Sequence, residues 1–107
     1  MSVKNVRADI PLELSSELVD VFAESDQVRI ERIVSRGHTS PPDFWYDQDR
    51  AEWVLVIAGR GRLIFEHRPE PVELGPGDHI LIAPHVRHRV VFTDPDHDTI
   101  WVAVHFN

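Results

Sequence analysis

Hydrophobic and polar residues alternate along most of the chain after about residue 27. The segment VRIERIV (28–34) shows this alternation, and five short runs rich in Val, Ile, Phe and Trp follow it. The runs are EWVLVIAG (52–59), RLIFEH (62–67), HILIA (79–83), HRVVFT (88–93) and TIWVAVHF (99–106). Because side chains of a strand point alternately to its two faces, this pattern predicts a series of short β-strands.

Turn residues separate these strands at close intervals. Gly59 and Gly61 can close a hairpin, and LGPGD (74–78) combines a proline with a glycine that tolerates a positive φ. Short strands joined by such turns predict an antiparallel sandwich or a small jelly-roll barrel, in which few strand edges are exposed. We therefore predict an all-β fold.

The N-terminal part of the chain has a different pattern of hydrophobic residues. Its apolar residues recur at helical spacing: Leu14, Leu18, Val21 and Phe22. Ser15 or Ser16 can cap a short amphipathic helix there. We expect a single domain over residues 1–107, with an N-terminal helical or irregular extension (1–27) ahead of the barrel core (28–106).

The amino-acid composition of the chain argues against several classes of function. The 18 Asp and Glu residues outnumber the 11 Lys and Arg residues, and a net charge of -7 disfavours nucleic-acid binding. The absence of cysteine excludes disulfides, thiolate zinc sites and cysteine nucleophiles. No segment reads as a signal peptide or approaches the ~20 apolar residues of a membrane span. A cytoplasmic protein without a membrane or nucleic-acid partner is the expectation.

His88 is the first candidate for chemistry. In HRVVFT it shares one face with Val90 and Phe92, whereas Arg89 lies on the other face. This arrangement predicts that His88 points into the barrel. Two interpretations stay open at this level, a histidine hydrogen-bonded to a backbone carbonyl and a functional imidazole.

Glu52 raises a similar question. It is in step with Val54 and Val56, on the face that would be interior if these valines form the core. A buried carboxylate requires a partner, and a metal ion, His88 or Arg62 could supply one. The alternative is a solvated carboxylate at the end of its strand.

The two candidates lie in segments that resemble the motifs of the cupin family of small β-barrels, over about residues 35–106. Glu52 precedes Gly59 with WVLVIA between them, as in the first cupin motif. The segment PGDHILIAPHVRH (76–88) resembles the second motif and ends at His88. The resemblance implies that Glu52 and His88 are metal ligands.

The first motif departs from the family pattern, because cupins usually carry His-x-His shortly before the glutamate. Different counts place the two histidine positions on Tyr46 and Gln48, on Trp45 and Asp47, or on Asp43 and Trp45. A reduced site with Glu52, His88 and either Asp47 or Gln48 would suit one divalent ion, Fe, Mn, Ni or Zn.

Several functions agree with this resemblance. One is a metal-dependent dioxygenase or isomerase, with Tyr46 or His105 as general acid or base. Another is a metal-free module that binds or senses a small molecule, and a third is a metal-free enzyme that uses Tyr46, His88 and Glu52. Further residues expected to line the pocket are Trp45, Val54, Val90 and Trp101.

The opposite face of the Glu52 strand predicts a partner. Trp53, Leu55 and Ile57 alternate with the interior residues and present apolar area outward. We expect a homodimer formed through this outer face.

Overall fold

The structure, a computed structural model, describes residues 1–107 and contains β-strands, turns and irregular segments but no helix. None of its segments is therefore an apolar helix of membrane-spanning length. The strands are β1 (Leu18–Glu24), β2 (Val28–Ser35), β3 (Ala51–Ala58), β4 (Gly61–Phe65), β5 (Val72–Leu74), β6 (His79–Ile82), β7 (His88–Thr93) and β8 (Thr99–Phe106).

The strands form two sheets. The large sheet has the order β1-β2-β8-β3-β6, and the small sheet has the order β5-β4-β7. Every pairing within them is antiparallel. The predicted all-β antiparallel fold is confirmed, and the six predicted strands agree with β2, β3, β4, β6, β7 and β8 to within a few residues.

The predicted N-terminal helix is wrong. Leu18 to Glu24 form β1, which pairs with β2 from Leu18 opposite Val34 to Glu24 opposite Arg29. A bulge between Val21 and Ala23 interrupts the alternation, which helps to explain why apolar residues fell at helical spacing. The edge of β2 offers hydrogen bonds to this neighbouring segment, and the hairpin pairing overrides the helical spacing within residues 14–22.

The core lies between the two sheets. It contains Val54, Val56, Leu63, Phe65, Leu74, Ile82 and Trp101. Gly61 of β4 makes room for the indole of Trp101, because a Cβ at Gly61 would lie 2.2 Å from the ring. Several of these core residues also line a cavity between the sheets, among them Val54 and Trp101.

The residues before β1 form an N-terminal arm that β2 holds against the barrel. The buried guanidinium of Arg32 donates hydrogen bonds to the carbonyl oxygens of Val6 and Ala8 at 3.0 and 2.6 Å. Arg36 donates to the carbonyl oxygen of Leu12 at 2.6 Å. These bonds satisfy backbone acceptors that lie outside regular structure, and they fix the path of the chain into β1.

Candidate functional site

A cavity of about 160 Å³ lies between the sheets, and eight of its fourteen lining residues are hydrophobic. The hydrophobic lining comes from both sheets and from the segment before β3. The polar lining consists of Glu17, Glu31, Gln48, Glu52, His88 and His105. A mostly apolar cavity with a few converging polar groups is the usual form of a small-molecule site.

Glu52 and His88 face each other across this cavity. Alternation along β3 and β7 turns both inward, and they are 8% and 6% exposed. Oε1 of Glu52 lies 3.5 Å from Nε2 of His88. The carboxylate therefore has the imidazole partner that its burial requires.

The environment of His88 determines its tautomer and its protonation. Nδ1 lies 2.8 Å from the carbonyl oxygen of Val86, and since a carbonyl only accepts, Nδ1 carries a hydrogen and Nε2 points at Glu52. Burial lowers the pKa of His88, but the interactions with Glu52 and the Val86 carbonyl outweigh it, so the net pKa is raised. The imidazole of His88 thus holds its proton more tightly than a free histidine does.

A second buried carboxylate and imidazole lie next to this pair. Nε2 of His105 is 2.8 Å from Oε1 of Glu31 and 3.9 Å from Oε2 of Glu52. The four side chains form a chain of pairs, Glu31 to His105 to Glu52 to His88. Sequence reasoning missed Glu31, although alternation in VRIERIV places it on one face with Ile33, because the pattern does not say which face of that strand is inside.

The segment before β3 settles which residues face the cavity. Tyr46 forms an antiparallel bridge with His88, its backbone N–H donating to the His88 carbonyl oxygen at 2.8 Å. Tyr46 and Gln48 line the cavity, and their phenol and amide groups occupy the two histidine positions of one cupin register. The Tyr46 ring stacks on the His88 imidazole with centroids 5.5 Å apart.

The neighbours of these two residues point outward, which corrects two expectations. Trp45 is absent from the cavity wall and instead packs against the guanidinium groups of Arg87 and Arg89, with a 5.0 Å approach for Arg89. Asp47 bonds to Nδ1 of His85 at 2.8 Å on the surface. The alternation of an extended segment sends both side chains away from the cavity once the Tyr46 bridge sets the register.

Tyr46 and Gln48 offer neutral polar atoms to the cavity. Burial and then the charges of Glu17 and Glu52 raise the pKa of the Tyr46 phenol, so it stays protonated and can donate a hydrogen bond to a ligand. Oε1 of Gln48 is buried and has no hydrogen-bond partner. An unpartnered acceptor in a cavity wall is available to a ligand.

The other expected lining residues, Val54, Val90 and Trp101, do lie in the cavity wall. Glu17 also lines it, although nothing in the sequence singled this residue out. Trp101 Nε1 donates to Oγ of Ser35 at 3.2 Å, and that hydroxyl donates to Oε2 of Glu17 at 2.7 Å. The N-terminal arm thereby adds a carboxylate to the cavity.

The residues present do not fit the metal site of three histidines and one glutamate that the family resemblance implies. A neutral phenol and an amide occupy the two histidine positions, and His105 is bonded to Glu31. No group of three or more His, Asp or Glu side chains has the arrangement of a metal site. Glu52, His88 and Gln48 supply a single imidazole between them, a poor donor set for the transition metals considered above.

Comparison with known proteins places this barrel in a family. The family model of the cupin domain (Cupin_2) matches residues 32–105, and the chain belongs to the cupin family. No functionally curated protein matches the sequence.

Solved structures give the same result. A protein of Ralstonia eutropha JMP134, provisionally assigned as a mannose-6-phosphate isomerase, is 38% identical over 100% of this chain and 99% of its own, with a TM-score of 0.96. A cupin superfamily protein of Desulfitobacterium hafniense DCB-2 is 16% identical over 91% and 83%, with a TM-score of 0.74. An RmlC-like cupin with a double-stranded β-helix fold, from Methanocaldococcus jannaschii, is 18% identical over 92% and 86%, with a TM-score of 0.70.

Proposed function

We propose that the protein is a small-molecule-binding cupin barrel whose cavity works without a bound metal ion. Cupins often bind a metal, and the observation that carries this proposal is the replacement of two ligand positions by Tyr46 and Gln48. Both side chains face the cavity, so the replacements lie at the site itself. A protonated phenol and a neutral amide bind Fe, Mn, Ni or Zn much less well than two imidazoles.

The same polar groups suit a ligand that needs several hydrogen bonds. The Tyr46 hydroxyl can donate, the Gln48 carbonyl oxygen can accept, and the Glu52 and His88 pair can do either according to its protonation. Val54, together with the other apolar wall residues, excludes water from the remaining surface of the ligand. This combination supports specific binding of a small, partly apolar molecule.

A second candidate function is metal-independent acid–base catalysis. The name of the R. eutropha relative suggests an isomerase, and moving a proton within a substrate requires a positioned base and acid. The pair of Glu52 and His88, 3.5 Å apart, supports that role, with Tyr46 as a hydrogen-bond donor to substrate. His105, bonded to Glu31, would position Glu52 rather than transfer a proton itself.

Metal analysis of the complete chain, purified without an affinity tag or chelator, tests the proposal against the metal-dependent dioxygenase or isomerase. We expect less than stoichiometric metal in the parent. The double variant Tyr46→His with Gln48→His restores the family motif on the cavity side, and we expect it to bind one divalent ion measured by elemental analysis and calorimetry.

The matched control is Trp45→His with Asp47→His, which adds the same two imidazoles on the outward side. We expect this control to gain no cavity metal, because alternation directs both side chains to solvent. Stoichiometric metal in the parent, lost in both Glu52→Ala and His88→Ala, would overturn the metal-free proposal.

A further inference from the structure

We propose that the ligand of this cavity is a small organic cation and that the cavity rejects phosphorylated and carboxylated compounds. The inference rests on the proposed binding function and adds the charge of the ligand to it. Nothing in the cupin fold by itself determines this charge, which follows from the side chains of this chain.

The charged groups of the cavity wall are strongly biased toward negative charge. Glu17, Glu31 and Glu52 all line the cavity, and no Lys or Arg residue does. Fixed positive charge is what sites for phosphate and carboxylate groups normally provide, most often as an arginine fork. An anion entering here would meet carboxylates without such a group.

The three carboxylates are neutralised unequally. Glu31 is bonded to His105 and has the guanidinium of Arg29 at 3.5 Å, so its charge is largely compensated. Glu17 accepts a hydrogen bond from the neutral hydroxyl of Ser35 and has no cationic partner within 4.0 Å. Glu17 is therefore the carboxylate of the cavity wall that no cationic side chain balances.

The only side chains near Glu52 that can carry a positive charge are two histidines. His88 Nε2 and His105 Nε2 lie 3.5 and 3.9 Å from its two oxygens, beyond the usual length of a charge-assisted hydrogen bond. His88 is 6% exposed, and its Nε2 faces Glu52 at 3.5 Å. These groups are therefore preorganised around space that a ligand can fill.

The walls suit the body of an organic cation. The rings of Tyr46 and Trp101 both line the cavity, and aromatic faces attract ammonium groups. The negative field is felt at Tyr46, whose phenol pKa is raised first by burial and then by Glu17 and Glu52. Since an engineered cavity of about 150 Å³ holds benzene, a cavity of about 160 Å³ suits a ligand of roughly six to eight non-hydrogen atoms.

Three probes of nearly equal shape isolate the effect of charge. Choline is the cation, 3,3-dimethylbutan-1-ol is its neutral carbon isostere, and 3,3-dimethylbutanoate is the matching anion. We expect choline to raise the melting temperature of the complete chain and to bind at least tenfold more tightly than the alcohol in calorimetry. Neither the anion nor mannose 6-phosphate should bind.

The variant Glu17→Gln removes one charge but keeps an amide oxygen that accepts the Ser35 hydroxyl. We expect it to weaken choline binding roughly fivefold, as for a partly exposed ion pair, and to leave binding of the alcohol unchanged. Glu13→Gln, an exposed glutamate of the same arm outside the cavity, is the control and should leave both unchanged.

Binding of the anion or of mannose 6-phosphate as tightly as choline would overturn the inference, and so would the failure of all three isosteres to bind. An unchanged choline affinity in Glu17→Gln would also overturn it. The metal analysis is independent of these outcomes. A metal-free protein that binds the anion would keep the proposed function and lose the inferred ligand charge.

Discussion

At the scale of single residues, His88 connects the backbone to the buried carboxylates. Its Nδ1 is held by the Val86 carbonyl, its ring stacks on Tyr46, and its Nε2 points at Glu52. Loss of one partner of such a buried pair leaves the other without compensation, which usually costs more than the pair itself contributes. The buried carboxylate of Glu52 therefore depends on His88, its nearest imidazole, for compensation.

The raised pKa of His88 predicts how stability varies with pH. The folded state binds this proton more tightly than the unfolded chain, so the stabilisation is complete below the unfolded pKa of about 6.5 and is lost as pH rises through the folded value. We expect the free energy of unfolding of the parent to fall toward that of His88→Gln above about pH 6.5. Urea denaturation at several pH values measures this difference.

His67→Gln is the control for this measurement, since the His67 side chain is exposed and forms no ion pair. Its unfolding free energy should follow that of the parent at every pH. A constant difference between the parent and His88→Gln across the range would contradict the predicted linkage.

At the scale of elements, the turn between β3 and β4 presses against the start of β8. Gly59 has a φ of 81°, and a Cβ there would lie 2.5 Å from the carbonyl oxygen of Asp98 and from Cα of Thr99. Thr99 is fully buried and exchanges hydrogen bonds with the backbone of Arg60. This contact joins the turn to the central strand of the large sheet. The hairpin expected at Gly59 and Gly61 does not form, because β3 and β4 belong to different sheets.

Substitutions of two glycines separate the effect of this contact from that of backbone conformation. Gly77 has a φ of 89° but nothing within 4 Å of the position that an added methyl group would take, so Gly77→Ala should cost only the left-handed conformation, about 1–2 kcal/mol. Gly59→Ala should cost about 1–3 kcal/mol more, because backbone atoms must move. Equal losses in urea denaturation would show that the turn between β3 and β4 accommodates the methyl group.

At the scale of the whole molecule, the large sheet has an apolar outer surface. Trp53 is paired with Val104 on one side and with Leu81 on the other, and Leu55 is paired with Val102. These residues define an outer patch, in which Leu81 is 62% exposed. An exposed apolar patch suits a two-fold symmetric partner, and we propose that a second copy of the chain covers it.

Light scattering coupled to size exclusion tests this homodimer. The parent should elute at twice its chain mass of 12.3 kDa, and Leu81→Arg should shift it to the monomer. Ile64→Arg, on β4 of the small sheet, places the same charge outside the patch and should leave the dimer intact. A parent that is monomeric at high micromolar concentration would refute the dimer.

Much of the candidate site could be predicted from the alternation of hydrophobic and polar residues along single strands. The positions of Glu52 and His88 followed from their valine neighbours, because a period of two assigns residues to a face whatever the rest of the fold does. The sequence left open whether Asp47 or Gln48 faces the cavity and wrongly expected Trp45 in its wall, because counting along an irregular loop does not fix the register. The backbone bridge between Tyr46 and His88 resolves that register, and it joins segments far apart in the chain.

The sequence alone determined the antiparallel all-β class, most strand positions, the cupin motifs and the inward direction of Glu52 and His88, since these depend on local periodicity and turn chemistry. Only the tertiary structure decided that residues 18–24 pair as β1, that Glu31 meets His105 across 74 positions, and that the arm brings Glu17 to the cavity. Such features depend on which backbone edges and side chains meet in the folded chain, because the pattern within one segment does not say which partner it pairs with or which face becomes buried.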